Sequence, residues 1–403
     1  MTQATDLAFS TRRAGDTRLI ASVSTAHFVN HFYYLVLPPL FAFVRADYNV
    51  SYTELGLALA IFNVVSAVLQ TPAGFLIDRI DARLSLVGGL ILGALGYTIA
   101  ALFDSYWVLI AGFALIGLGN TVYHPADYAL LSHRVSPERV SQAYSIHTFS
   151  GMLGSAAAPV SMLFMHSLFG WRGAFFGASV LGVAVAAVLL MQRDTAAHVS
   201  TSKPVNSAKS GTALQLLLSK PIMMSLLFFT FLALGSFGVQ NYSVVALGEL
   251  YGTDPATANT ALSTFLVFSA FGVLAGGWVA GRTTKHGAFA ALGLGASGLA
   301  TLLIGTVHLP TPLLFLAMAI AGFSFGAIMP ARDMLVRAIT PPGAFGRVFG
   351  FVTNGFSFGG IIAPLIYGAL MDHGQPRTVF MLIGACAFLA IMTVVSTPKQ
   401  RAA

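Results

Sequence analysis

The chain reads as an all-α membrane protein whose twelve transmembrane helices form two pseudo-symmetric six-helix bundles. Three observations predict this: the composition, the spacing of apolar runs, and a repeat of proline and glycine between the two halves. The 403 residues are 56% hydrophobic and only 9% charged, with a mean hydropathy of +0.79. A soluble domain carries about a quarter of its residues as charged side chains facing water, so most of this surface must face lipid.

A helix needs roughly 20 mostly apolar residues to cross hydrocarbon. Such runs are expected near 19–44, 55–77, 84–103, 106–131, 140–169, 174–192, 222–248, 258–281, 287–307, 311–331, 348–370 and 378–396. Little is left for a soluble domain. Arg12, Arg13 and Arg18 precede the first run, but it contains His27 and Asn30 and has no small-residue cleavage site. It is expected to be a retained helix and not a signal peptide. The one cysteine, Cys386, lies in the last run, which excludes a disulfide framework and a cysteine metal centre.

The net charge of +7 would suit a nucleic-acid partner, but the basic residues follow membrane topology. With both termini cytoplasmic, only Arg45, Arg172 and Arg377 of the 21 Lys and Arg residues fall in outer loops. Short loops rich in Lys and Arg stay on the cytoplasmic side, so the bias places a multi-pass chain in the bacterial inner membrane and argues against nucleic acid. The longest polar stretch, Arg193 to Gly211, is rich in Ser, Thr, Ala and Lys and contains Pro204. It reads as a cytoplasmic linker. The expected organisation is one bundle over 1–192, a linker over 193–213 and a second bundle over 214–403.

Shifting the chain by 205 residues superposes Pro125 on Pro330, Pro137 on Pro342, Gly154 on Gly359, Pro159 on Pro364, Arg172 on Arg377 and Phe175 on Phe380. At an offset of 203, Gly74-Phe-Leu-Ile-Asp78-Arg79 meets Gly277-Trp-Val-Ala-Gly281-Arg282. Proline and glycine punctuate the backbone, so the architecture itself repeats. Two parallel repeats related about the membrane normal place a binding site near the midplane.

The stretch from Gly74 to Leu86, GFLIDRIDARLSL, resembles the G-x-L-a-D-R-x-G-R-[RK] signature of the major facilitator superfamily through Gly74, Asp78, Arg79 and Arg83. Asp81 stands where the family prefers Gly, and Ala82 replaces a basic residue. Helix count, linker, repeat and the Trp171-Arg172 opening of helix 6 extend the resemblance over nearly the whole chain. Ser24-x-x-His27 with Leu37-Pro38, and Tyr123-His124-Pro125, resemble the fosmidomycin-resistance branch of that superfamily. The resemblance implies a secondary transporter working by alternating access, with a monomer as the family default. It also implies that Asp78 and Arg79 belong to an inner latch that breaks and remakes during the cycle. Gly281, in place of an acid, implies a weaker latch in the second half.

Polar side chains at membrane depth are costly unless they face a cavity or one another. His27 and His31 share a helix face at i, i+4. Counting about 1.5 Å per residue, His27 lies roughly 13 Å and His31 roughly 19 Å from the inner end. His124 and His147 come to a level similar to His27. Imidazole is the side chain whose ordinary pKa lies in the physiological range, so the cluster could couple protons to a solute or hold an anion. The plainer alternative is that each histidine hydrogen-bonds a neighbouring helix. No carboxylate is expected at that depth, so no metal site is expected either. Asp127 is grouped with Gly74, Asp78, Arg79, Arg83, Arg332 and Asp333 as gating, although it could instead serve coupling. Asn30, Asn120 and Tyr123 in the first half, and Gln240, Asn241 and Asn354 in the second, complete the candidate substrate site.

These readings converge on a secondary transporter of a small organic solute, a drug-like compound or organic anion, by proton-coupled efflux. The alternatives are proton-linked uptake of a small carboxylate or an uncoupled facilitator. The expected partners are the solute, protons and the lipid bilayer, with no cofactor. No nucleophile with its base is visible to suggest an enzyme, and the linker and termini are too short for a signalling domain.

Overall fold

The structure, a computed structural model, describes residues 2–77, 79–191, 215–341 and 344–395. The linker expected over 193–213 and the latch residue Asp78 lie outside the described residues. Among those described, the chain is helical throughout and has no strand.

The first helix, α1 (Thr2–Tyr34), stops ahead of Pro38-Pro39 instead of running on to 44. Neither proline has an N–H to donate to the preceding turn, although Leu37 before them keeps helical angles. The chain makes a 3₁₀ turn at Pro38–Leu40 and a short helix α2 (Phe41–Tyr48), ended by left-handed Asn49. Then come α3 (Tyr52–Ile77) and α4 (Ala82–Leu102). The fourth apolar run is broken at Thr121–Val122 into α5 (Tyr106–Asn120) and α6 (Tyr123–Arg134). Pro125 has no N–H to bond back one turn, which accounts for the break. In α7 (Val140–Met191) two helices meet at Gly170, whose φ of 71° is a conformation open chiefly to glycine. This junction falls between the two runs expected at 140–169 and 174–192.

The second half holds α8 (Lys220–Tyr251), α9 (Pro255–Ala280), α10 (His286–Thr306), α11 (Thr311–Ile339), α12 (Phe345–Asp372) and α13 (Pro376–Val395). By length and apolarity, 10 helical segments can cross a membrane. One of them is the pair joined at Gly170, and α1 completes a set of twelve. The repeat is visible in the helices themselves, since Pro159 lies inside α7 and Pro364 inside α12.

Contacts divide the chain into two units, Met1–Val36 with Val64–Lys203, and Leu37–Asn63 with Pro204–Ala403. Helix α3 therefore starts in the second unit and ends in the first. Within the first unit α1 lies on α7, and α4 lies between α5 and α7. Within the second, α8 packs on α12 and α13, α9 on α11, and α10 on α11 and α13. Its core is built around Phe228, Phe229, Leu232, Ile328, Val348 and Val352. Burial of such side chains is worth about 1.5–3 kcal/mol each in water.

Candidate proton and substrate site

The first unit brings the sequence-predicted histidines together around one carboxylate. Oδ2 of Asp127 on α6 lies 2.9 Å from Nε2 of His147 on α7, in a hydrogen bond, and 3.2 Å from Nδ1 of His27 on α1. The second contact lacks hydrogen-bond alignment, which leaves His27 Nδ1 buried without a hydrogen-bond partner, and Asp127 Oδ1 is likewise buried without one. The His27 and His147 rings stack with centroids 3.7 Å apart, and the His31 and His124 rings lie 4.5 and 5.7 Å from His27. His27, Asp127 and His147 are buried, whereas His31 and His124 are half-buried.

Two expectations change here. A carboxylate does reach the depth of the histidines, and Asp127, grouped above with the gate, faces imidazoles. Arg134 and Arg139 are paired with other acids: Arg134 meets Asp81 at 3.5 Å and Arg139 meets Asp16 at 3.8 Å. Arg332 is bonded to Asp333 at 2.8 Å and lies over the rings of Phe229 and Phe356 in the second unit. The donor atoms of His27, Asp127 and His147 lie within 4.8 Å of one another, close enough for one metal ion. However, the shared oxygen is already hydrogen-bonded to His147, and the two stacked rings lie face to face. The arrangement is that of a hydrogen-bonded acid–imidazole cluster.

The cluster depends on how closely α1 approaches α7. A Cβ added to Gly151 would fall 2.6 Å from Cδ2 of His27 and 3.0 Å from Cδ2 of His31, so both imidazoles occupy the space a side chain would need. One turn on, Ser155 Oγ lies 3.3 Å from Nδ1 of His31, and Ser150 Oγ donates to the Ser24 carbonyl at 2.8 Å. Ser155 was not among the expected site residues. A serine four residues beyond a glycine carries no signal until α1 is laid against it.

Asn120 has a structural task. Its Oδ1 accepts from Tyr34 Oη at 3.0 Å, its Nδ2 donates to Ser66 Oγ at 3.1 Å, and Ser66 donates to the Gly117 carbonyl. Asn30 and Tyr123 are buried, and Asn30 Nδ2 and Tyr123 Oη have no hydrogen-bond partner among the described residues. In the second unit, Gln240 Nε2 donates to Ser236 Oγ on its own helix, Asn241 is buried and Asn354 is exposed.

Among the expected gating residues, Gly74 faces open space and Arg79 is exposed in the turn after α3. Arg83 donates through Nε to Leu189 O at 2.7 Å and through Nη2 to Leu190 O at 2.9 Å. It thereby supplies a cation to carbonyls at the C-terminal end of α7. Asp81, where the signature prefers Gly, caps α4 by accepting from the backbone N–H groups of Arg83 and Leu84.

Residues 23–240 and 226–402 each match the family model of the Major Facilitator Superfamily. The chain is 23% identical over 393 residues to the fosmidomycin resistance protein of Escherichia coli K12, covering 95% of this chain and 93% of that protein. It is 26% identical over 351 residues to the multidrug resistance protein MdtH of Proteus mirabilis, covering 83% of each. Among solved structures, a bacterial homologue of the human lysosomal transporter Spinster superposes with a TM-score of 0.77 at 16% identity, covering 96% of this chain and 99% of that one.

Proposed function

Because this chain belongs to the Major Facilitator Superfamily, and is therefore a multi-pass secondary transporter and no enzyme, we propose that it exports a small organic solute in exchange for protons. The observation that carries the proton step is the buried Asp127 carboxylate, whose contacts among the described residues are imidazoles. A carboxylate held in a helical bundle with no guanidinium beside it is costly when ionised. A proton is one means of removing that cost, and imidazoles are the groups within reach to exchange it. His27 and His147 offer neighbouring nitrogens to pass that proton on, and half-buried His31 and His124 lie around them.

The relatives support this reading of the solute. Two similar proteins are named for fosmidomycin resistance and for multidrug resistance, which favours export of a drug-like compound or organic anion. The charge bias of the loops supports an inner-membrane location with both termini cytoplasmic, and a monomer is the default in this family.

The test is substrate-induced pH change in proteoliposomes, screening phosphonates and other organic anions. A His27→Ala, His31→Ala double variant and a zinc-titration arm run alongside. The reading expects proton movement with a solute and its loss in the double variant. Normal coupled transport by the variant would sink the assignment of the cluster. Solute-driven proton entry in the direction of uptake would favour a carboxylate uptake carrier, and tight stoichiometric zinc binding would make the cluster a metal site.

A further inference from the structure

The two halves of the chain put opposite charges at one place in the repeat. The shift of 205 residues that superposes Pro125 on Pro330 also superposes Asp127 on Arg332. Each lies two residues past its proline, and each lies seven residues before the end of its helix, α6 at Arg134 and α11 at Ile339. At about 1.5 Å per residue, Arg332 stands roughly 10 Å from that end. A cation inside a membrane helix is costly and marks a functional place more often than a structural one.

Within the second unit, three helices hold the guanidinium. Arg332 on α11 lies over the ring of Phe229 on α8 at 4.7 Å and over the ring of Phe356 on α12 at 5.4 Å. Both distances are within cation–π reach, so the rings fix the group and leave its charge in place. The helices behind it are tightly joined, since a Cβ added to Gly355 would fall 2.7 Å from Cβ of Phe229. Asp333 Oδ1 accepts from Nε at 2.8 Å and lies 2.8 Å from Nη2. Nη1 donates to Sδ of Met329 at 3.3 Å, a weak acceptor.

A guanidinium carries five N–H groups in a planar fork, and these contacts engage at most three of them. Each terminal nitrogen therefore keeps an N–H with no acceptor among the described residues. Donors on both terminal nitrogens of one arginine suit the paired oxygens of a carboxylate or a phosphonate. Asp333 does not fill that role. It offers one oxygen, and its side chain is 44% exposed against 13% for Arg332. Nor does Arg332 belong to the lipid-facing stripe of α11, which is marked by exposed Leu313, Leu316, Ile320 and Phe323. It follows Phe323 by roughly two and a half turns and so lies across the helix from it.

We propose that Arg332 receives the acidic group of the exported solute, which makes that solute an organic oxyanion, a carboxylate or a phosphonate. The proposal rests on the export reading above and names its solute class. Asp333 is the counter-ion that Arg332 keeps between solutes, and the oxygens of the solute take the unused donors. The repeat divides the work: the acid of the first half exchanges a proton with imidazoles, and the base of the second half meets the anion.

The test is binding without a pH gradient, so it can fail separately from proton coupling. Purified full-length protein, in detergent and a chloride buffer free of phosphate and sulfate, is titrated calorimetrically with phenylphosphonate and benzoate, each beside its uncharged methyl ester. The parent should bind at least one acid roughly tenfold or more tighter than its ester, as hydrogen bonds between charged groups imply. Arg332→Gln should abolish that preference, and Arg332→Lys, a point charge without the fork, should reduce it. Asp333→Asn should tighten the acid about threefold and leave the ester unchanged, because a partly exposed competing charge is gone. Equal binding of acid and ester by the parent, binding of neither acid, or an undiminished preference in Arg332→Gln would overturn the proposal, and none of these touches proton-linked export of an uncharged solute. A lowered melting temperature with an unchanged acid preference would reduce Arg332 to a structural ion pair. Should Arg332→Gln fail to fold, Asp333→Asn decides, with unchanged or weaker acid binding counting against the proposal.

Discussion

Nε2 of His147 and Oδ2 of Asp127 share a hydrogen bond of 2.9 Å between two helices of the first unit, with both side chains sealed from solvent. When Asp127 is ionised the imidazole must donate; when it is protonated the carboxyl has a proton to give. Replacing Asp127 with Asn keeps the shape and removes the titration. Asp127→Asn should retain solute exchange between equal pools but lose pH-driven accumulation, measured by counterflow against a pH-gradient assay. Retention of both would remove Asp127 from coupling. His147→Ala should also lower stability by about 1–3 kcal/mol, the cost of leaving a buried polar group without its partner.

Gly151 is predicted to tolerate no side chain. Gly151→Ala sets a methyl group against both imidazoles and should cost about 1–3 kcal/mol as an overpacked contact. The comparison is Gly295→Ala on α10, where nothing lies within 4 Å. There the change should be neutral or gain about 0.5–1 kcal/mol, since alanine is the better helix former. Thermal unfolding in detergent checks both, and equal effects would show that the approach of α1 to α7 is looser than described.

Asn120 was expected to meet the solute, but its amide is used by Tyr34 and Ser66. Asn120→Ala should lower stability by about 1–3 kcal/mol by orphaning those partners, while leaving the KM for solute near the parent value. A large rise in KM with unchanged melting temperature would return Asn120 to the binding site.

Asp254 gives a pH dependence with a definite sign. It caps α9, accepting from the Thr257 N–H at 2.9 Å, and the hydrogen bonds from Thr257 hold its carboxyl below the usual carboxylate range. A depressed folded-state pKa means that the stabilisation is present above the unfolded value of about 3.9 and fades as pH falls through the folded one. The residue is exposed, so screening keeps the effect small. Asp254→Ala should cost about 0.5–2 kcal/mol at neutral pH, as lost N-caps do, and the gap between variant and parent should close in acid. A gap independent of pH down to strongly acidic conditions would contradict the cap.

Helix count, the break at Gly170 and the shared face of His27 and His31 were all legible, because apolar run length and the helical period are local properties. The place of Asp127 was not. Reckoning depth along a helix axis treats each residue as a point, yet Cα–Cβ bonds tilt toward the helix N-terminus. A residue three places past His124 lies about 4.5 Å further along and can reach back to its level. The task of Arg83 was hidden for another reason. Its acceptors are the carbonyls of Leu189 and Leu190, and main-chain groups look alike at every position of a sequence.

Because residues 37–63 group with Pro204–Ala403, the second unit does not consist of the second half of the chain alone. During synthesis the early part of α3 must wait for helices that emerge much later, whereas most of the first unit can assemble from what is already made. Two halves produced as separate polypeptides would therefore not be equivalent: the later one would lack a strip of its own interior, and the earlier one would carry that strip with nothing to lay it on.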